Sequence, residues 1–290
     1  MNNLPNPVSL ESALGKFIAH LKSQKRSSAT VTAYSGDLQQ LKDHLESHRI
    51  TQATTVQTEH LQSYLDKLAT TGYTPKSVSR KINSLKTFFK FLNTEGLMPT
   101  NPASPLSHPK YETAPPRVLT DAEYHALRDA CRLDIRMCAI IELLLQTGIR
   151  ISELANLRKE DVKKNELTIR AQENNAQRII PLNKSASGCV QNYLAIRPAV
   201  ENDHLFVTKT GRPLLVRNIR TAVDRYFRQA SIKGAKVNDL RHTFIAYQLQ
   251  SGIDPQFLAK VVGHKRLSST EKYLEFTKAS TQTSVKLTEL

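Results

Sequence analysis

Cysteine is scarce in this 290-residue sequence, and tryptophan is missing. The three cysteines, Cys131, Cys138 and Cys189, form no Cys-x-x-Cys pair, and their number is odd. That argues against a disulfide framework and a structural zinc site, and for a reducing compartment. Cys131 and Cys138 share an apolar helical pattern, so core packing is their expected use. No uninterrupted apolar run approaches the roughly 18 residues of a membrane span. The N-terminus lacks a basic start followed by an apolar run, so no secretory signal is expected. A cytoplasmic or chromosome-bound protein with no membrane partner is the expectation. Gly-x-x-x-x-Gly-Lys-Ser/Thr and Gly-x-Gly-x-x-Gly are both missing, and no Asp, Glu and His cluster has metal-ligand spacing. ATP, a dinucleotide and a metal are not called for, and no cofactor is expected.

Negative charge is also short. The 26 acidic residues face 41 Lys and Arg, giving a net charge of +15. Such an excess seeks a polyanion, and nucleic acid is the usual one. Solubility alone or an anionic membrane surface is the alternative. Hydrophobic residues make up 39% of the chain, enough to bury a core.

Four helices are expected in the first hundred residues. Residues 8–22 place Leu10, Leu14, Phe17, Ile18 and Leu21 on one side, with Ser9 as cap. A basic break at 22–28 contains Lys25 and Arg26. Helical periodicity resumes over 29–45 and again over 57–70. The fourth helix, 75–93, begins with Pro75, suited to a first turn. Its apolar residues, Val78, Ile82, Leu85, Phe88, Phe89 and Leu92, fall in one arc. Lys76, Arg80, Lys86 and Lys90 fall in the opposite arc, spaced to follow a phosphate backbone. A solvated basic face is the alternative. The arc itself holds no acidic residue, which favours DNA contact.

Residues 99–117 carry six of the 13 prolines, and a helix cannot run through them. The expected fold class is mainly α (α+β): a helical domain over 1–98, a proline-rich linker over 99–117, and a larger domain over 118–290. The second domain opens with Thr120 as a cap and Glu123 as its capping-box partner. Apolar helical pattern then runs to Gln146. A further helix follows Arg150. Residues 166–171 and 178–182 alternate polar and apolar and predict a hairpin around the turn 172–177. Helices return at 186–196 and 216–231.

Thr147-Gly148-Ile149-Arg150-Ile151-Ser152-Glu153-Leu154 resembles the first box of the tyrosine recombinases, the phage integrase family. Asp239-Leu240-Arg241-His242-Thr243-Phe244, then Gly263-His264, then Tyr273 resembles the second. Taken singly, Arg150 is as readily a surface arginine at a helix start, His264 a structural histidine, and Tyr273 a packing residue. The order and spacing of the pieces carry the resemblance, which covers essentially the whole chain and is strongest to compact, Xer-like members. It implies an N-terminal four-helix SAM-like core-binding domain and a mainly helical catalytic domain with a small hairpin.

The implied chemistry suits these residue types. Cutting DNA without metal needs a nucleophile that holds the phosphate covalently, and a tyrosine ester keeps the bond energy for rejoining. Two guanidiniums suit the charge that develops on the phosphorus oxygens. The resemblance gives Arg150 and Arg241 that role, and Tyr273 the role of nucleophile. His264 becomes a phosphate donor or proton-transfer group, and Glu153 a support for the arginine pocket. His242 is expected to pack rather than react. Two positions depart from the family pattern. Asn238 stands where His or Lys is usual, and it can donate a hydrogen bond but not exchange a proton near pH 7. The turn 172–177 has no lysine, and Glu173 falls near the place where the family carries one; Lys163, Lys164, Lys184 and Arg170 are the candidate substitutes. The implied partners are double-stranded DNA with an inverted-repeat core site and three further copies of the chain, a homotetramer on DNA. The two domains are expected to close as a C-shaped clamp. Phe276, Val285 and Leu287 are expected to dock on a neighbouring subunit, a frayed terminus being the alternative. The expected function is site-specific recombination. A catalytically impaired DNA-binding relative using the same clamp is the alternative, and a sequence-independent topoisomerase is the third.

Overall fold

The computed structural model describes residues 8–112, 114–172 and 175–276. It divides into two compact units, one over 1–114 and one over 115–290.

The first unit packs α1 (Leu10–Ser23), α2 (Ser28–Ser47), α3 (Thr58–Thr70) and α4 (Pro75–Thr94) around one apolar core. Each start has a local cause. The side chains of Ser9, Ser27 and Thr74 accept from the backbone N–H three residues on, and Pro75 fills the first turn of α4. Phe17, Leu85, Phe88, Phe89 and Leu92 are fully buried. Each contributes roughly 1.5–3 kcal/mol by leaving water. The stretch expected as a linker is packed over its first half. Met98, Ala103 and Leu106 enter this core, and the Thr58 hydroxyl donates to the Pro102 carbonyl at 2.9 Å. Proline stops the helix there without freeing the chain from the core.

The second unit is built on α6 (Ile135–Thr147), apolar on nearly all sides, with Ile140, Ile141, Leu143 and Leu144 sealed from solvent. Against it pack α5 (Asp121–Cys131), α7 (Ile151–Ala155), α8 (Lys184–Ile196), α9 (Val216–Gln229) and α10 (Val237–Gln250). The helical pattern expected to run unbroken to Gln146 is two helices. Leu133 sits fully exposed at the break, and Asp134 caps α6 by accepting from the Met137 N–H at 3.0 Å. Thr120 and Glu123 form the expected capping box on α5. The hairpin is β1 (Glu166–Ile169) antiparallel to β2 (Arg178–Pro181), Leu167 facing Ile180. The last helices among the described residues are α11 (Pro255–Val262) and α12 (Ser268–Glu271). The cysteines are free thiols, with Cys138 and Cys189 sulfurs 3.4 Å apart between α6 and α8. Among the described residues no helix is long and apolar enough to cross a membrane.

Candidate active site

The C-terminus of α11 organises the site. Asp254 and Pro255 start this helix, and Gly263 ends it with φ +68°. The last carbonyls of a helix lack internal partners and carry the negative end of its dipole. Here three consecutive carbonyls each take one guanidinium. Arg178 of β2 donates to Val261 O at 2.8 Å, Arg241 of α10 to Val262 O at 2.7 Å, and Arg150 to Gly263 O at 2.8 Å. Three elements far apart in sequence are thereby fixed on one helix end, immediately before His264.

Arg150 precedes α7, and its position is doubly tied. Its backbone N–H and its guanidinium both donate to Glu153, at 2.8 and 3.0 Å. Glu153 is buried and also receives both terminal nitrogens of Arg178, at 2.9 and 2.8 Å. Burial works to raise the Glu153 carboxyl, but the paired Arg178 bond and the Arg150 backbone bond outweigh it and hold the group below the ordinary carboxylate range. Two guanidiniums thus share one carboxylate, and the third, Arg241, is bonded to backbone carbonyls instead. The pocket keeps uncompensated positive charge.

Arg241 is buried, and its other donor goes to the Gly148 carbonyl. Desolvation, with Arg150 nearby, pushes it down to about 10, so it stays protonated at neutral pH. Arg241→Lys keeps a charge and loses the fork. On the role that the resemblance gives Arg241, the expected result is a fall in DNA cleavage of about 10²–10³, the scale of one lost transition-state donor. Single-turnover cleavage at saturating DNA measures it, and a loss below tenfold overturns the assignment.

His264 is half-buried. Its Nδ1 lies 2.8 Å from the hydroxyl of Thr270, which is fully buried. Desolvation, then Arg241 and Arg150, push the ring from 6.5 down to about 4. It is therefore neutral at pH 7, able to accept a proton at one nitrogen and donate from the other. Because the unfolded chain binds this proton more readily, the folded chain loses stability as pH falls from about 6.5 towards about 4. His264→Gln is expected to flatten the drop in melting temperature across that window. An unchanged slope would contradict it.

Tyr273 is 2% exposed, packed with Phe244, Leu249, Leu258 and Val262. Its ring centroid is 5.9 Å from that of His242, and the Lys272 ammonium lies 5.1 Å from the Tyr273 ring centroid. Burial raises the phenol above its ordinary value, against the lowering effect of Arg241. The structure therefore brings Arg150, Arg241, His264 and Glu153 together at the end of α11, and buries Tyr273 beside them. Asn238 is exposed in the first turn of α10, one turn before Arg241, and is bonded to none of them.

Three residues that the structure places at this site have little or no signal in the sequence. Arg178 reads there only as the start of a strand; an arginine opening a short apolar strand is its one mark. Thr270 and Lys272 have no signal beyond lying close to Tyr273. Arg170, a candidate substitute for the hairpin lysine, is tied to Asp161 at 2.7 Å and to Glu160. Glu173 lies outside the described residues, as do Val285 and Leu287.

In the first unit, Lys25, Arg26, Lys76 and Lys90 are exposed or partly so, and Lys86 is half-buried. Arg26 and Lys90 line one groove of about 410 Å³ between α1, α2 and α4. Arg80 is exposed but has a balancing acid. Its guanidinium pairs with Asp37 of α2, a buried carboxylate that also holds Lys81 at 2.9 Å and the Ser84 hydroxyl at 2.8 Å. The balancing acid comes from the neighbouring helix, which the periodicity of α4 alone could not reveal.

Comparison with known proteins fits both units. Residues 117–280 match the phage integrase family, and residues 14–96 the phage integrase N-terminal SAM-like domain. The tyrosine recombinase XerC of Staphylococcus carnosus is 32% identical over 267 residues, covering 89% of this chain and 90% of the relative. That of Thermodesulfovibrio yellowstonii is 30% identical over 272 residues, 89% of each chain. Among solved structures, a lambda integrase tetramer bound to a Holliday junction superposes with TM-score 0.73 at 19% identity, covering 89% of this chain and 78% of that one. A Tn1549 transposon integrase in complex with circular intermediate DNA gives 0.74 at 19% identity, over 94% and 99%. On the match over both units and the identity to full-length relatives, the chain belongs to the phage integrase family of tyrosine recombinases.

Proposed function

We propose that the chain is a site-specific recombinase that cuts and rejoins duplex DNA through a 3′-phosphotyrosyl link. One observation carries this reading. Arg150 and Arg241 are fixed on a single helix end with positive charge to spare, and His264 and Tyr273 follow on the same segment. The Tyr273 oxygen attacks the scissile phosphorus, the bond from phosphorus to the 5′-oxygen breaks, and the leaving oxygen takes a proton to become a 5′-hydroxyl. Neutral His264 accepts the phenol proton or donates to a phosphate oxygen, and the two guanidiniums hold the developing charge. The reverse attack rejoins the strand, so neither metal nor ATP is consumed. Glu153 orients Arg150. Asn238, exposed one turn before Arg241, donates to a neighbouring phosphate. Tyr273 is 2% exposed, so attack on a phosphate requires the phenol to be released from its packing.

Residues 1–98 serve as the core-binding domain, with Lys25, Arg26, Lys76, Lys86 and Lys90 on phosphates and Arg80 shared with Asp37. Residues 118–290 are the catalytic domain, and 99–117 join the two. Four copies act on two duplexes at an inverted-repeat core site; the lambda integrase tetramer bound to a Holliday junction supports the number of copies. The transposon integrase match adds a mobile-element role. The protein works in the cytoplasm.

The test is a DNA duplex carrying the core site and a nick beside the cleavage position, so that the released fragment diffuses away. The chain is expected to become covalently trapped on this substrate. No trapped adduct, with specific binding intact, selects the DNA-binding relative instead. Relaxation of any supercoiled plasmid without a defined site selects the topoisomerase.

A further inference from the structure

We infer that Arg178 is a positioning residue of the reaction, a third arginine that holds Glu153 and through it Arg150 against the end of α11. The inference rests on the recombinase reading.

The geometry is over-determined. Arg178 has a side chain only 9% exposed, although it sits on the edge of a two-stranded hairpin. All three guanidinium nitrogens are used: Nε on Val261 O at 2.8 Å and the other two on the two Glu153 oxygens. The bidentate fork fixes the carboxylate in both direction and plane. Its guanidinium also lies close against Gly263, where a Cβ would come within 3.0 Å of the Arg178 Cζ. Gly263 O is the acceptor of Arg150. Arg178 therefore contacts both things that orient Arg150: its carboxylate and the residue that supplies its carbonyl. It does not itself need to reach DNA.

A purely structural ion pair would serve as well to tie the hairpin to α11. Two consequences separate the readings. The charged groups facing Glu153 are Arg178 from β2, Arg150 before α7 and Arg241 from α10. Without Arg178, burial is opposed by less positive charge, and the carboxyl protonates at higher pH. Protonation frees one of the two tethers on Arg150. Cleavage should then acquire an acid limb that the wild-type chain does not show. Second, an effect exerted through Glu153 should vanish once Glu153 is neutral.

The experiment measures adduct formation on the nicked core-site duplex for the wild-type chain, R178Q, R178K, E153Q and the E153Q/R178Q double variant. Duplex affinity and melting temperature are measured beside it. R178Q is expected to slow adduct formation about a hundredfold, the scale of a 1 Å misplacement of a reacting group. Its affinity for duplex should stay within about twofold, because binding is carried by many phosphate contacts. Its rate should recover as pH rises. R178K should restore part of the rate by returning charge without the fork. In the E153Q background the same substitution should add less than about threefold. The double variant also removes both halves of the buried pair, which protects the test if R178Q folds poorly. Wild-type rates in R178Q, or an equal fold-loss with and without Glu153, overturn the role of Arg178. So does loss that follows melting temperature and binding alone, with no change in pH profile. A wild-type chain that forms no adduct overturns the recombinase reading, and this role with it.

Discussion

Tyr273→Phe is expected to form no covalent adduct while binding the same duplex as tightly as the wild-type chain. The substitution removes one oxygen. Among the described residues nothing is hydrogen-bonded to that oxygen, and the ring stays packed by Phe244, Leu249, Leu258 and Val262. The fold should therefore lose less than about 1 kcal/mol. Among the described residues, His242 packs against the ring and the Thr270 hydroxyl is bonded to His264, so neither is placed to replace the nucleophile. The loss in adduct is thus all-or-none against an unchanged gel shift. A residual adduct in this variant would place the nucleophile elsewhere, and the assignment of the whole second box would have to move with it. Weakened binding would mean instead that the hydroxyl contacts DNA before reaction.

The helices of the first unit are legible in the sequence because their causes are local. A capping Ser or Thr, an apolar arc and a proline act within a few residues of one another, and α1 to α4 begin and end close to where those signals stand. The hairpin and the capping box of α5 are legible for the same reason. Arg150, Arg241, His264 and Tyr273 are legible only as a spacing. What brings them together is the end of α11, and no local pattern states that three arginines from three elements will meet there. Arg178 shows the limit most clearly. Its strand neighbours are apolar, and its partners lie 25 and 83 residues away. Arg80 shows the converse. Its arc on α4 is free of acid, yet Asp37 reaches it from α2. Periodicity reports which face a residue occupies, not which charge a neighbouring helix presents to it. The proline-rich stretch misleads in a related way. Proline forbids a helix but does not forbid burial, and Ala103 and Leu106 are buried between prolines.

Gly148→Ala should be among the most destabilising single-methyl additions in the second unit. Gly148 ends α6 with φ +60°, a conformation that L side chains adopt with strain of about 1–3 kcal/mol. Space is the second term. A Cβ there would overlap Phe244 Cδ1 and lie 3.1 Å from two further ring atoms. Phe244 belongs to the buried cluster with Tyr273, so any shift of the ring disturbs that cluster. Overpacking of this kind costs roughly 1–3 kcal/mol. The two terms together predict a loss of about 2–6 kcal/mol, enough to lower the melting temperature by several degrees in a unit of this size. Gly252→Ala is the control. Its φ is +83° and nothing lies within 4 Å of where a Cβ would stand, so only the backbone term applies. Equal losses for the two variants would remove the Phe244 contact from the account. The Gly148 carbonyl also accepts from Arg241, and the ring that must yield belongs to the cluster around Tyr273. Cleavage by Gly148→Ala, measured at a temperature where it is fully folded, should therefore fall by at least about tenfold, equivalent to about 1.4 kcal/mol. A variant that melts early yet cleaves normally when folded would show that the turn supports the core without aiming Arg241.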